Sequence, residues 1–362
     1  MPLCFWFGSV FLVNVPVCIC AVVLGHFFIP SGGVRDERGL DPLGSLLSIV
    51  ALFALMYGII TVPDQGWGAS SVRLGFVIGA LFLAAFAVWE LRCPNPMFDV
   101  RFFKNPRFSA ASATITHVSF ALFGSTFLLT QYFQFVLGYS PLKAGMMTSP
   151  VAVGLMVASP NAPRLVHRFG TTRVVVAGLS TVACGLALYC SATIMSSVPL
   201  GMMVRLLFGL GMGMTSAPVT ESIMGSLPHD RAGVGSAVND TTRQTGGALG
   251  VAVLGSVFLA RYHSTMGALA GVSPAVSRAA HDSVGSALDA AAKLPPAQAA
   301  IVAGAARHSF ITAMRPAFAI ACAVVVLSIF IAAKFLPARA AGEELSEEDA
   351  MLDEAAAEAV YA

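Results

Sequence analysis

The sequence predicts an all-α integral membrane protein of about nine transmembrane helices. Three observations predict it. Of 362 residues, 56% are hydrophobic and 11% charged, whereas soluble domains carry about 25% charged residues. Apolar stretches long enough to cross a bilayer recur along the chain. The basic residues gather in every second connection between those stretches.

A hydrocarbon core takes ~20 mainly apolar residues as one helix. Nine stretches qualify, near 5–29, 40–62, 72–91, 108–135, 144–159, 172–194, 198–223, 233–259 and 309–336. Backbone polar groups in lipid must bond internally, so each is read as a helix. The first has no basic residues before it and is long for the core of a signal peptide, so it is read as retained. The fifth is the shortest, interrupted by Pro150 and ended by Pro160.

One set of connections holds Arg35 and Arg38; Arg92, Arg101, Lys104 and Arg107; Arg164, Arg168 and Arg173; Arg231; and Lys334 and Arg339, more than half of the chain's 21 basic residues. In the other set, 63–71, 136–142 and 195–197 are nearly bare. The exception is a long connection with Arg261, Arg278, Lys293 and Arg307. The positive-inside rule puts the first set in the cytoplasm, with the C-terminus cytoplasmic and the N-terminus external. Residues 262–308, rich in Ala and Ser and carrying Pro295-Pro296, read as an external loop with some helix. The acidic, Ala-rich stretch 343–358 reads as a solvated or frayed cytoplasmic helix.

Composition also excludes. A net charge of +2 argues against nucleic acid as a partner. The seven cysteines lie mostly in apolar runs and include no CxxC; Cys18 and Cys20 form only C-x-C, so buried free thiols are expected and no metal site. No nucleophile elbow, P-loop or HExxH occurs, so no enzyme is predicted.

Ionisable residues inside a membrane are costly and mark function by default. Of 19 acidic residues only Glu90, Glu221 and Asp240 fall within the stretches, apart from Asp41 at the very start of the second. Glu90, beside Arg92 at a cytoplasmic end, is expected to reach water and act structurally. Glu221 and Asp240 flank the turn 227–231 at similar depth, and Arg243 follows Asp240 at i+3 on a shared helix face. Two readings stand. In one, a carboxylate carries the coupling proton, since apolar surroundings favour the protonated acid; Glu221, without a local partner, suits this role best. In the other, Arg243 pairs with Asp240 and pins two helices together.

His117 is the one histidine well inside a stretch and serves either as a hydrogen-bonded helix contact or as a proton relay. Gln131 and Gln134, three apart, either line a polar cavity or cross-link helices. Arg205 lies near the external end of its helix; it is a further cavity-lining candidate, with snorkelling outward as the structural alternative. Gly209, Gly211 and Gly213 crowd one helix, and Gly246, Gly247, Gly250 and Gly255 the next. Small residues let helix backbones approach closely, so Gly209, Gly213, Gly246, Gly247 and Gly250 are assigned to helix packing.

The run RAGVGSAVNDTTRQTGGALGVAVLG at 231–255 resembles the penultimate helix of the fourteen-helix drug:proton antiporter branch of the major facilitator superfamily. APVTESIM at 217–224 is similar to the helix before it, QYFQFVLGYSPLKAG at 131–145 to the branch's external turn, and FLVNVP at 11–16 to its sixth helix. The resemblance covers nearly the whole chain and implies a major-facilitator-type helical bundle. Residues 1–107 would be the sixth helix plus the branch's two extra central helices. Residues 108–261 would be the first five helices of the C-terminal six-helix half, 262–308 the external loop, 309–337 the last helix and 338–362 the acidic cytoplasmic tail. Two departures stand out: Phe7-Gly8-Ser9 replaces the usual Trp-Arg-Trp, and His167 stands in RLVHRFG at 164–170 where the stricter loop motif has Asp.

What the resemblance implies is a plasma-membrane transporter that exports drugs, antibiotics or small metabolites in exchange for protons by alternating access. It would have no catalytic residue, cofactor or metal, and its partners would be lipid, a small-molecule substrate and protons. Helices one to five have no upstream counterpart. They are expected from an upstream reading frame, a separate polypeptide or a partner subunit. The alternative is a non-transporting truncated remnant, or a scaffold that associates through its glycine faces.

Overall fold

The computed structural model describes residues 12, 14–28, 41–93, 96, 100–190, 198–228, 232–267, 269 and 272–336. The chain divides into two units, Met1–Gly39 and Leu40–Ala362. The first contains one apolar helix, α1 (Asn14–Phe28). The rest of the expected first stretch, 5–11, 13 and 29, lies outside the described residues, as does the acidic tail.

The second unit begins with a hairpin of α2 (Pro42–Gln65) and α3 (Ser70–Arg92). Asp41 caps α2 by accepting from the Gly44 N–H at 2.9 Å, and the Trp89 indole donates to the same carboxylate at 3.0 Å, tying the two helix ends together. The helices meet through glycine: a Cβ on Gly75 would lie 2.9 Å from the Gly58 Cα. The outer faces carry exposed Phe53, Ile60, Val77 and Leu81. Water would penalise such a surface and hydrocarbon does not. Glu90 is not at water's edge as expected. It is 2% exposed, with its Oε1 3.0 Å from where a Gly44 Cβ would stand.

A six-helix bundle follows: α4 (Pro106–Gln131), which continues as a π-helical turn Tyr132–Val136; the short α5 (Pro141–Thr148) and α6 (Pro150–Phe169), acting as one span; α7 (Thr171–Cys190); α8 (Val198–Met224); α9 (Ala232–Thr265); and α12 (Pro296–Phe335). Two short helices, α10 (Pro274–Asp282) and α11 (Val284–Ala291), precede α12. Among the described residues eight helical spans are long and apolar enough to cross a membrane, and all eight fall on sequence-predicted stretches.

Two boundaries differ from expectation. The fifth span runs on through Pro160 and Pro163 to Phe169. A proline removes one backbone donor, and within a bundle neighbouring groups tolerate the loss. The last helix starts at Pro296, not near 309. Hydropathy sees only its apolar part, whereas the Ala-rich 297–306 supplies helix propensity. At 1.5 Å per residue its 40 residues span about 60 Å, twice the hydrocarbon thickness.

The bundle packs as two triplets, α4–α6–α7 and α8–α9–α12. Its most extensive contacts pair α6 with α8 and, reciprocally, α9 with α4; α7 meets α8 as α12 meets α4, and α7 meets α12. This exchange pattern is that of an inverted three-plus-three repeat. Both reciprocal pairs cross on glycine. A Cβ on Gly209 would strike the Val151 carbonyl of α6, and one on Gly213 would lie 2.7 Å from the Ala158 Cβ. Cβ atoms on Gly246 and Gly250 would strike the Thr116 and Phe120 carbonyls of α4, and one on Gly247 would lie 2.9 Å from the Phe123 ring. Some buried hydroxyls are satisfied within their own helices, as in Thr114 to the Ala110 carbonyl and Thr215 to the Gly211 carbonyl, both 2.8 Å.

One end of the bundle is marked by Thr172, which donates to the Leu336 carbonyl at 2.9 Å. At the other, the Tyr262 hydroxyl donates to the Ala280 carbonyl at 3.0 Å, and Phe258 meets Phe310 edge to face. The segment α10–α11 thus continues the apolar core through Ala280, Val284, Ala287 and Ala291.

Candidate functional site

The candidate polar groups lie on α4, α8 and α9. The α8 and α9 helices run antiparallel on either side of the 227–231 turn. Their level is set by a hydrogen bond between the Thr220 hydroxyl and Asn239 Oδ1, 3.2 Å long, with Asn239 buried. Glu221 and Asp240 are the next residues along each helix. They therefore lie within about 3 Å of one another in depth, and both are exposed.

The expected Asp240–Arg243 ion pair is not formed. Asp240 faces outward, whereas Arg243 is half-buried and its Nε has no hydrogen-bond partner. Residues three apart on a helix share a side only loosely; here that offset separates the carboxylate from the cation. The polar link between α8 and α9 is Thr220–Asn239 instead, a pair missed in the sequence. Its signal was an Asn directly before an acid, opposite a Thr directly before another.

On α4, His117 is half-buried and its Nδ1 has no hydrogen-bond partner, so that nitrogen makes no helix contact. Thr116, beside it, packs against Gly246, less than one helical turn from Arg243. The α4–α9 contact therefore brings the backbone at His117 within about one helical turn of Arg243, while Glu221 and Asp240 lie on α8 and α9 beside the Thr220–Asn239 link.

Gln131 and Gln134 are both half-buried. The turn between them is π-helical, with Leu137 donating to the Tyr132 carbonyl at 3.1 Å. Its wider i→i+5 winding rotates Gln134 away from the position that α-helical geometry predicts. Such turns occur often at functional sites.

Arg205 does not snorkel. It is 2% exposed, with its guanidinium 5.1 Å from the centre of the Phe133 ring and facing the phenol of Tyr189. It lines no open surface. Among the described residues no three His, Cys, Asp or Glu side chains group as a metal site.

Replacing Thr220 by Val is expected to cost about 0.6 kcal/mol, with ~1.7 kcal/mol an upper bound for a hydrogen bond between membrane helices. Thermal unfolding in detergent should show the same small loss for Asn239→Ala combined with Thr220→Val as for either alone. Additive losses would show that the two side chains act independently.

Comparison with known proteins matches residues 3–251 to the family model of the Major Facilitator Superfamily. The chain is 31% identical over 322 residues to the multidrug efflux pump LfrA of Mycolicibacterium smegmatis, covering 89% of this chain and 64% of that protein. It is 30% identical over 334 residues to the tetracenomycin C resistance and export protein of Streptomyces glaucescens, covering 90% and 62%. It is 34% identical over 262 residues to the multidrug resistance protein Stp of Mycobacterium tuberculosis, covering 71% and 48%. The chain spans less than two thirds of the length of these relatives. Apolar spans, reciprocal glycine crossings and a family match over most of the chain converge: this protein belongs to the major facilitator superfamily.

Proposed function

We propose that this chain serves proton-coupled export of drugs, antibiotics or small metabolites by alternating access across the plasma membrane. The observation that carries the reading is the pair of exposed carboxylates, Glu221 and Asp240, on either side of the Thr220–Asn239 link between α8 and α9. A carboxylate on such a face can exchange a proton with water and be covered when helices rock together. Similarity to the multidrug efflux pump LfrA, the multidrug resistance protein Stp and the tetracenomycin C resistance and export protein supports export as the direction and drug-like molecules as the cargo. In this reading the triplets α4–α6–α7 and α8–α9–α12 form one half of the transporter. The hairpin α2–α3 is the extra central pair, and residues 262–308 lie outside the cell. Gln131 and Gln134 contribute to the cavity wall.

Efflux of a lipophilic dye from membrane vesicles of cells producing the chain tests the reading. Export that needs a proton gradient and stops with a protonophore supports it. A chain that is inserted and folded but moves no dye, with or without the gradient, overturns it. Orientation is checked separately: a fluorescent protein fused after Leu336 should stay cytoplasmic, and Ser286→Cys should react with an impermeant thiol reagent from outside the cell. The opposite sidedness would reverse the topology.

A further inference from the structure

We infer that Arg205 is a recognition site for a planar carboxylate, buried within the six-helix bundle. The inference is independent of the exporter reading, since it concerns binding alone.

The guanidinium is 2% exposed and lies inside a membrane span. Its guanidinium carbon lies over the ring of Phe133, which sits on the π-helical turn, 5.1 Å from the ring centre. Tyr189 faces it from α7, but the Tyr189 hydroxyl proton is already donated to the Gly201 carbonyl at 3.1 Å. The remaining donors, Nε and Nη2, meet no acceptor. These two are adjacent on one edge of the guanidinium and point the same way. That edge is the fork that grips both oxygens of a carboxylate.

Among the described residues no carboxylate fills it. Glu221 is sixteen residues along the same helix, about 24 Å away. Asp282 and Asp289 are exposed. The connections 191–197 and 268–271 contain no acid. A buried unpaired charge costs several kcal/mol. A lysine would spread its donors around a point charge, whereas this arginine holds two in parallel. The unmatched feature is therefore a bidentate edge, and the group that matches it is a carboxylate. That carboxylate belongs either to an organic solute or to a small ion such as formate.

Thermal unfolding of the purified chain in detergent tests this. Formate, benzoate and chloride are titrated at constant ionic strength and sodium. Formate or benzoate should raise Tm saturably, and chloride, which cannot span two donors, should not. Stronger protection by benzoate identifies an organic solute as the source; protection by formate alone identifies a small ion. Arg205→Lys keeps the charge but loses the fork, and should raise the half-saturating concentration at least about tenfold. No protection by any carboxylate, equal protection by chloride, or an unchanged response in Arg205→Lys overturns the assignment. Should that variant fail to fold, 4-azidobenzoate photolabelling of the wild-type chain decides: label near Phe133, Tyr189 or Arg205 that formate competes away supports the site, and label elsewhere overturns it.

Discussion

Glu221→Gln is expected to lower gradient-driven efflux by at least about tenfold, a loss of roughly 1.4 kcal/mol or more in coupling, while leaving the amount of inserted protein unchanged. An amide occupies nearly the same volume but cannot take up or release a proton. The side chain is exposed on α8, so the change removes no core packing. Downhill dye equilibration without a proton gradient should persist, which separates lost coupling from lost binding. Asp240→Asn lies at the same level and serves as the comparison. A double variant no worse than Glu221→Gln would mean that the two carboxylates act as one unit. Full gradient-driven efflux in Glu221→Gln would remove Glu221 from the mechanism.

Gly250→Leu is expected to be the most destabilising of the glycine substitutions. A Cβ there would strike the Phe120 carbonyl, a backbone atom that cannot rotate away. Overpacking in tight cores costs about 1–3 kcal/mol, and more where backbone must move. Gly209→Leu, at the reciprocal crossing, should behave alike, because its Cβ would also strike a backbone carbonyl, that of Val151. Gly145→Leu is the control, since nothing lies within 4 Å of its Cβ position. Tm in detergent should fall sharply for the first two and stay near wild type for the third. Equal Tm values across all three would contradict the crossing geometry.

Much of this architecture was legible in the sequence, for a physical reason. In hydrocarbon each helix must satisfy its own backbone, so span-length apolar runs report helices without help from tertiary contacts. Glycine positions were legible because close approach in a membrane bundle depends on small residues, and all five assigned glycines lie at helix crossings. The site was less legible. Glu221 and Asp240 were placed at the right level, yet the direction of each side chain depends on how α8 and α9 rotate about their axes. Arg243 therefore did not meet Asp240, and Thr220–Asn239 went unseen. The π-helical turn after Gln131 was hidden because winding is set by packing against Arg205 and α11, not by local propensity. For Arg205 the sequence left lining a cavity and snorkelling outward both open, because its position near a helix end favours snorkelling; Phe133 and Tyr189, distant in sequence, meet it inside.

The central claim is that Glu221 and Asp240 share a water-reached face on helices otherwise solvated by lipid. Thiol accessibility in intact membranes tests it most directly. In a background with the seven native cysteines replaced, Glu221→Cys and Asp240→Cys should react with an impermeant reagent from the cytoplasmic side. Phe53→Cys and Leu81→Cys, on the apolar faces of the hairpin, should not. Unreactive thiols at 221 and 240, or rapid reaction at 53 and 81, would contradict it.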